Sequence, residues 1–422
     1  MKSKIYFFLR KCYFVADDLL YRVLLLLPHR RIKTAESNAK RVVFVVDHPS
    51  PRVMKMAKEL RKNGWEIISL CRIKRGKVMA EDIYRYSTKV ETYVSAHGAL
   101  YRCRHYQGGL FHVFCCYVYD VPTLLIKKRI GKIIFDNYDG FAGFLSKWDK
   151  TRANRKTAKA ERFCLENADG LTCRSFETQY NKWRMGYRFK GKRLLFLDYC
   201  STESKRYLHE HELNESPVFF YGGGLPDEIN KPDYVHSCIV DAAQALSEHG
   251  CGLWVYHSRC SPELDVYYQK AAERIPAFLF HGAVPFEEML AVMKQCDFSI
   301  MPVKKQFETN IKENRNDGTY YGVKMKYGTA NKYFDALEAG LPLVGASFQL
   351  VFSMLERSGV ACRCTVEELG DRLEYLKKHH DEYCDNIAQQ IDKFSVEKNI
   401  SRLIDFYRKI AVTSPTQIDV SK

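Results

Sequence analysis

The chain has 422 residues, 46% hydrophobic and 13% aromatic, which excludes a disordered or low-complexity protein and exceeds what one ordinary core holds, so two domains are expected. Its net charge of +16 is uneven: residues 1–200 carry 41 Lys and Arg against 18 Asp and Glu, residues 201–422 carry 25 against 32. A basic N-terminal half suits anionic lipid headgroups or a phosphorylated acceptor; no nucleic-acid motif accompanies it, so nucleic acid is not expected as a partner.

Residues 5–27 are largely apolar but are interrupted by Arg10, Lys11, Asp17, Asp18 and Arg22. The longest clean run, Val23–Leu27, falls far short of the roughly 20 residues a bilayer span takes. No signal-peptide cleavage pattern follows it. Ile5, Phe8, Leu9, Cys12, Ala16, Leu19, Leu20 and Val23 recur at helical spacing, with basic residues at both ends. Residues 1–40 are therefore read as an amphipathic segment that either lies on a membrane or packs on the domain behind it.

From Arg41 apolar strands alternate with helical patterns. Val42–Val46 is a buried-strand run; Val53, Met56, Ala57 and Leu60 form a helical stripe that Gly64 ends; Glu66–Leu70 is the next strand. Leu110–Tyr117, a helix through Ile130, and Lys132–Phe135 repeat the unit. The plan restarts with the strand Val218–Tyr221, which ends at Gly222-Gly223-Gly224. A helix face of Ile239, Ala242, Ala243 and Leu246 follows, then strands Leu253–Tyr256 and Phe278–His281. Pro285 opens a helix with Met289, Val292, Met293 and Cys296 inward, and Phe298–Val303 is the strand after it. This alternation predicts α/β domains with parallel sheets covered on both faces. Residues 304–328 read as a mobile polar loop, Ser395–Tyr407 as a terminal helix with Ile400, Leu403, Ile404 and Tyr407 on one face, and 413–422 as a disordered tail. The fifteen cysteines include no Cys-x-x-Cys pair and several lie in apolar strands, as expected of free thiols in a reducing cytosol.

The segment Thr329–Ala346, TANKYFDALEAGLPLVGA, carries the most chemistry. Thr329 or Asn331 can cap a short helix; Lys332 and Asp335 share its first turn; Gly340 and Pro342 stop it before an apolar strand. Free N–H groups, the positive dipole end and a lysine suit a diphosphate, and a carboxylate one turn on can accept from both ribose hydroxyls. Glycines 222–224, at the C-terminal edge of a strand, let the backbone approach the same phosphates. Arg259, just past the strand Leu253–Tyr256, is a further candidate for the positive field.

This segment resembles the nucleotide-binding signature of GT-B-fold retaining glycosyltransferases (glycosyl transferases group 1, family 4-like), in the branch that reads P-N-K-h-x-E-Y-h-A-A-G-h-P-h-V. Asn331, Lys332, Phe334, Leu337, Ala339, Gly340, Pro342 and Val344 fit; Asp335 stands at the family's glutamate and Glu338 at an alanine. Tyr327 stands eight positions before Asp335, where the better-known form of the family has its first glutamate. The stretches 278–303 and 161–175 resemble the family too. The resemblance implies two doubly wound Rossmann-like domains facing a cleft: 41–205 for the acceptor, 206–394 for the nucleotide sugar, and a helix, 395–412, that crosses back onto the first. It further implies that the backbone around His281-Gly282 holds the base, and that the strand-end loops with His48 and Asp139 face the acceptor, both being candidate catalytic residues. The donor site is then Gly222, Gly223, Arg259, His281, Gly282, Asn331, Lys332 and Asp335.

With no Asp-x-Asp, no metal and no cofactor are expected beyond a UDP- or GDP-linked sugar as substrate. The expected activity is metal-independent, retaining transfer to an acceptor, a lipid-linked saccharide of cell-surface polysaccharide, by a cytoplasmic enzyme peripheral at the inner face of the cell membrane. The alternatives are a sugar-nucleotide epimerase of the same fold and an inactive binding or scaffold protein.

Overall fold

The computed structural model describes residues 2–27, 40–47, 50–74, 77–78, 81–142, 151–203, 212–230, 238–257, 260–307, 325–345 and 348–412. Of the sequence expectations, His48, Arg259, the centre of the 304–328 loop and the 413–422 tail lie outside the described residues. The chain divides into two compact units, Met1–Leu197 with Asn399–Lys422, and Asp198–Lys398.

In the first unit α1 (Lys2–Leu24) precedes β1 (Arg41–Val46), α2 (Pro51–Lys62), β2 (Glu66–Lys74), β3 (Lys77–Val78), β4 (Lys89–Tyr93) and α3 (Ala96–Cys103). Then come β5 (Leu110–Cys115), α4 (Asp120–Lys128), β6 (Lys132–Asn137), α5 (Arg152–Asn167), β7 (Gly170–Cys173), α6 (Glu177–Trp183) and β8 (Lys192–Leu195). The sheet runs β3-β2-β1-β5-β6-β7-β8 with β4 also on β2, and only the β2–β3 pairing is antiparallel. Val42–Val46 is buried throughout, as a strand covered on both faces must be. The stripe Val53, Met56, Ala57 and Leu60 is the buried side of α2, whose first turn holds Pro51, where a missing N–H costs nothing.

The second unit holds β9 (Val218–Gly223), α7 (Ile239–Glu248), β10 (Gly252–His257), α8 (Pro262–Arg274), β11 (Phe278–Gly282), α9 (Phe286–Met293) and β12 (Phe298–Met301). After them come α10 (Lys332–Ala339), β13 (Leu343–Gly345), α11 (Leu350–Arg357), β14 (Ala361–Arg363), α12 (Leu369–Lys378) and α13 (His380–Gln390). Its all-parallel sheet runs β11-β10-β9-β12-β13-β14. The winding direction reverses between β9 and β12, so the loops leaving these two strands part and open a crevice at their C-terminal ends.

The last helix, α14 (Val396–Ala411), packs on the first sheet from Asn399 onward. Gly170 permits the approach: a Cβ there would lie 2.9 Å from Phe406 and 3.1 Å from Ile410. The seam is polar at its centre. Buried His112 meets the Tyr407 hydroxyl through Nδ1 at 2.6 Å and Thr172 Oγ1 through Nε2 at 2.8 Å, and Thr172 donates to Asp136 at 2.7 Å. Burial pushes His112 down to about 3, against the pull of Asp136. Its ordinary value is near 6.5, so the unfolded chain takes up a proton that the folded chain refuses between those values. Stability therefore falls as pH drops from about 6.5 toward 3. The loss is expected to reach a few kcal/mol by pH 4, and His112→Asn should flatten that part of the urea-midpoint profile.

Three features differ from the sequence expectation. β5 stops at Cys115, because Tyr117 turns to a φ of 60°. β12 ends at Met301 and β13 starts only at Leu343, after Pro342. Strands β4, β8 and β14 are short and partly exposed, and lack the apolar run that marks the inner strands. All fifteen cysteines are free, most of them buried.

Candidate functional site

The crevice of the second sheet gathers the residues with phosphate-binding chemistry. β9 ends at Gly222 and Gly223, and Gly223 has a φ of 123°, which side chains rarely adopt. A Cβ on Gly223 would lie 3.5 Å from Lys332 Nζ, so the glycine turn and the first residue of α10 touch although 109 positions separate them. Lys332 Nζ lies 3.7 Å from the centre of the Tyr221 ring, and the Tyr221 hydroxyl donates to Gly224 O at 2.9 Å. One tyrosine thus holds both the glycine turn and the lysine. The ring face attracts the ammonium, but desolvation by the surrounding protein dominates and lowers Lys332 to about 7, with nearby Asp335 opposing the shift. Such a lysine is half-discharged near neutral pH and regains its proton when an anion arrives.

Two helices start at this edge, and they differ. At α7 the carboxylate of Glu228 accepts the Ile239 N–H at 2.6 Å, so a side chain of the protein already occupies that positive end. Burial raises the Glu228 pKa, and the Ile239 N–H bond opposes this. At α10, Asn331 sits in the capping position but is already helical, with φ −56° and ψ −40°, and its side chain makes no capping bond. Of the two expected caps, Thr329 or Asn331, the Asn331 side-chain cap is not formed, its backbone being already helical where a capping residue is extended. The Tyr333 N–H donates to Ala330 O at 3.2 Å and the Phe334 N–H to Asn331 O at 2.9 Å, so at α10 the charge offered to a phosphate is that of Lys332 together with the dipole end. Its far end is as expected: Gly340, with a φ of 81°, closes the helix. Glu338 accepts the Ser201 N–H at 3.1 Å, which ties the start of the second unit to α10.

Along the same edge β10 ends in Tyr256 and His257 and β11 in His281 and Gly282. Their rings pair: Tyr256 with His281 at 4.9 Å, His257 with Phe280 at 4.7 Å. His281 and Gly282 are exposed, and a Cβ on Gly282 would meet nothing within 4 Å. A flat base has both room and aromatic faces here.

In the first unit the C-terminal edge is built on ion pairs. Asp139 meets Arg174 Nη2 at 2.9 Å and accepts from the Tyr117 hydroxyl at 3.2 Å. Buried Glu161 accepts from the N–H groups of Phe141 and Ala142 and from Asn137 Nδ2, while Glu177 accepts from the Gly140 N–H. Two carboxylates therefore fix the loop that carries Asp139. Arg72, buried, bridges Asp47 at 2.9 Å and Asp120 at 3.0 Å. Among the described residues no group of three or more His, Cys, Asp or Glu is placed to hold a metal ion.

No family model and no curated protein matches the sequence. Solved structures do resemble it. Sucrose-phosphate synthase from Thermosynechococcus elongatus aligns with a TM-score of 0.62 at 11% identity, over 88% of this chain and 99% of that one. HepE from Anabaena, solved in complex with UDP, aligns at 0.60 and 11%, over 86% and 99%. WaaG, a glycosyltransferase involved in lipopolysaccharide biosynthesis, aligns at 0.50 and 12%, over 87% and 99%. The chain has a GT-B fold. In that fold's terms, Gly222, Gly223, Asn331, Lys332 and Asp335 lie at the switch point of the second sheet, with His281 and Gly282 two strands along. Sequence reading missed Tyr221, whose one signal is a hydroxyl-bearing ring in the last inward position before the glycines. It also missed Arg72, a charged residue embedded in an otherwise ordinary strand pattern.

Proposed function

We propose that the chain is a glycosyltransferase that takes a sugar from a nucleoside diphosphate donor, UDP- or GDP-linked, bound by the second unit. The observation that carries this reading is the contact between the Gly223 turn and a desolvated Lys332 in the first turn of α10. Those groups neutralise the leaving diphosphate as the bond to the sugar breaks, by the work a metal does elsewhere. Asp335 receives the ribose hydroxyls and the Tyr256–His281 edge the base. The reading gains support from proteins of the same fold: one holds UDP, and another is a glycosyltransferase of lipopolysaccharide biosynthesis. Transfer is retaining and metal-independent. The acceptor, a lipid-linked saccharide of cell-surface polysaccharide, is bound by the basic first unit at the inner face of the cell membrane. His48 and Asp139 are the candidates to orient its hydroxyl, Asp139 through a carboxylate that Arg174 keeps in place.

Thermal-shift titration with UDP-, GDP-, ADP- and CMP-sugars tests the donor half. One nucleotide is expected to raise Tm in proportion to the logarithm of its excess over Kd. Nucleotide release that requires an acceptor identifies transfer; release or sugar rearrangement without an acceptor identifies an epimerase; binding without turnover identifies a scaffold.

A further inference from the structure

α1 is mounted inside out. Its polar edge faces the protein: Asp17 accepts the Ser95 N–H at 3.2 Å, Asp18 meets His97 Nδ1 at 2.7 Å, and Arg102 donates to the Tyr21 hydroxyl at 3.2 Å. Tyr21 also packs on Tyr101 at 5.3 Å, and Arg104 donates to Leu25 O at 2.9 Å just past the helix end. The opposite side carries Tyr13, Leu19, Leu20 and Val23, and the turn after the helix Leu26 and Leu27, each more than half exposed. A contiguous apolar face of this kind is costly in water and marks an interaction surface.

The charge says what covers it. Both acidic residues of the first 33 are bonded to the domain, and Asp18 also pairs with Arg22 at 2.8 Å, whereas seven further cations (Lys2, Lys4, Arg10, Lys11, Arg30, Arg31 and Lys33) share that stretch of sequence with the apolar residues. Two copies of such a face would bring like charges together, so self-association is disfavoured. No helix among the described residues is long and apolar enough to cross a membrane. A helix of 23 residues is about 34 Å long and can lie along a surface over its whole length.

We propose that this outward face of α1 is a docking surface for an anionic lipid bilayer, with the helix lying in the headgroup plane and its leucines below it. The inference rests on the membrane reading above and adds the element and the face that make the contact. A lipid-linked acceptor would then be met by a protein already held at its level.

Vesicle flotation tests it. The full chain is expected to float with phosphatidylglycerol-rich vesicles and to remain below with pure phosphatidylcholine. Leu19→Glu with Leu20→Glu and Val23→Glu is expected to weaken binding roughly a hundredfold, since three buried side chains of this size contribute several kcal/mol. Should that variant fail to show a cooperative unfolding transition, Leu26→Glu with Leu27→Glu, past the end of the helix, decides in its place. Unchanged flotation of the variants overturns the proposal. So does equal binding to the two lipids, or a concentration-dependent dimer in sedimentation that the same substitutions abolish. A UDP thermal shift measured on the same samples is independent of this face, so loss of donor binding and loss of docking are read separately.

Discussion

Lys332→Met is expected to shrink the nucleotide-dependent rise in Tm, so that about a hundredfold more nucleotide is needed for the same shift, while leaving the free protein as stable as before, or more so. The two effects have one cause. In the free protein the Lys332 ammonium is desolvated, which lowers it to about 7. Between that value and the ordinary value near 10.4 the unfolded chain holds a proton that the folded chain has released. This group's contribution to stability therefore rises as pH climbs through that window, and below about 7 it is a standing cost. Methionine removes the cost. A bound diphosphate reverses the balance, because an anion beside Nζ restores the charged form. Binding then takes up close to one proton at pH 8, and affinity falls about tenfold per pH unit above 7. A thioether in place of the amine takes up no proton, so the slope should vanish together with roughly two orders of magnitude of affinity, the usual worth of a charge-assisted contact in a desolvated site. Isothermal titration of UDP in two buffers of different ionisation enthalpy measures the uptake directly. A variant that binds UDP as tightly as the parent, with the same pH slope, would remove Lys332 from the site.

What the sequence disclosed and what it hid divide along distance in the chain. The end of α10 is local: a glycine in the left-handed region followed by a proline stops a helix wherever it occurs, and Gly340-Leu341-Pro342 does so here. Inner strands such as Val42–Val46 are legible because a strand buried on both faces must be a continuous apolar run. The edge strand β8, Lys-Arg-Leu-Leu, has one free side and so no such run. The Lys332–Gly223 contact depends on β9 lying beside β12, a fact about sheet order that no window of sequence contains. Tyr221 reads as one more aromatic residue of a core strand until Lys332 is found over its ring. Glu338, at a position where the resembled family has alanine, finds its reason 137 residues away in the Ser201 N–H.

Arg52→Met is expected to be among the most destabilising single changes in the first unit, costing about 3–5 kcal/mol. The Arg52 guanidinium and Asp136 are each 2% exposed and meet at 2.9 Å; Arg52 also donates to Phe196 O and to Leu197 O at 2.6 Å. Removing it strands a buried carboxylate that keeps the Thr172 hydroxyl and a neutral His112 ring 3.8 Å away but no cation, along with two carbonyls just past β8. The cost lies in the uncompensated charge rather than in the lost attraction, so adding Asp136→Leu should recover much of it, as replacing a whole buried pair by apolar groups often does. The urea transition of the first unit is the measurement, and a double variant no more stable than Arg52→Met alone would contradict the account. The UDP thermal shift should survive both changes, because the donor groups sit in the other unit. Stability lost in one unit with binding kept in the other would separate the scaffold that Arg52 holds from the chemistry assigned to Lys332.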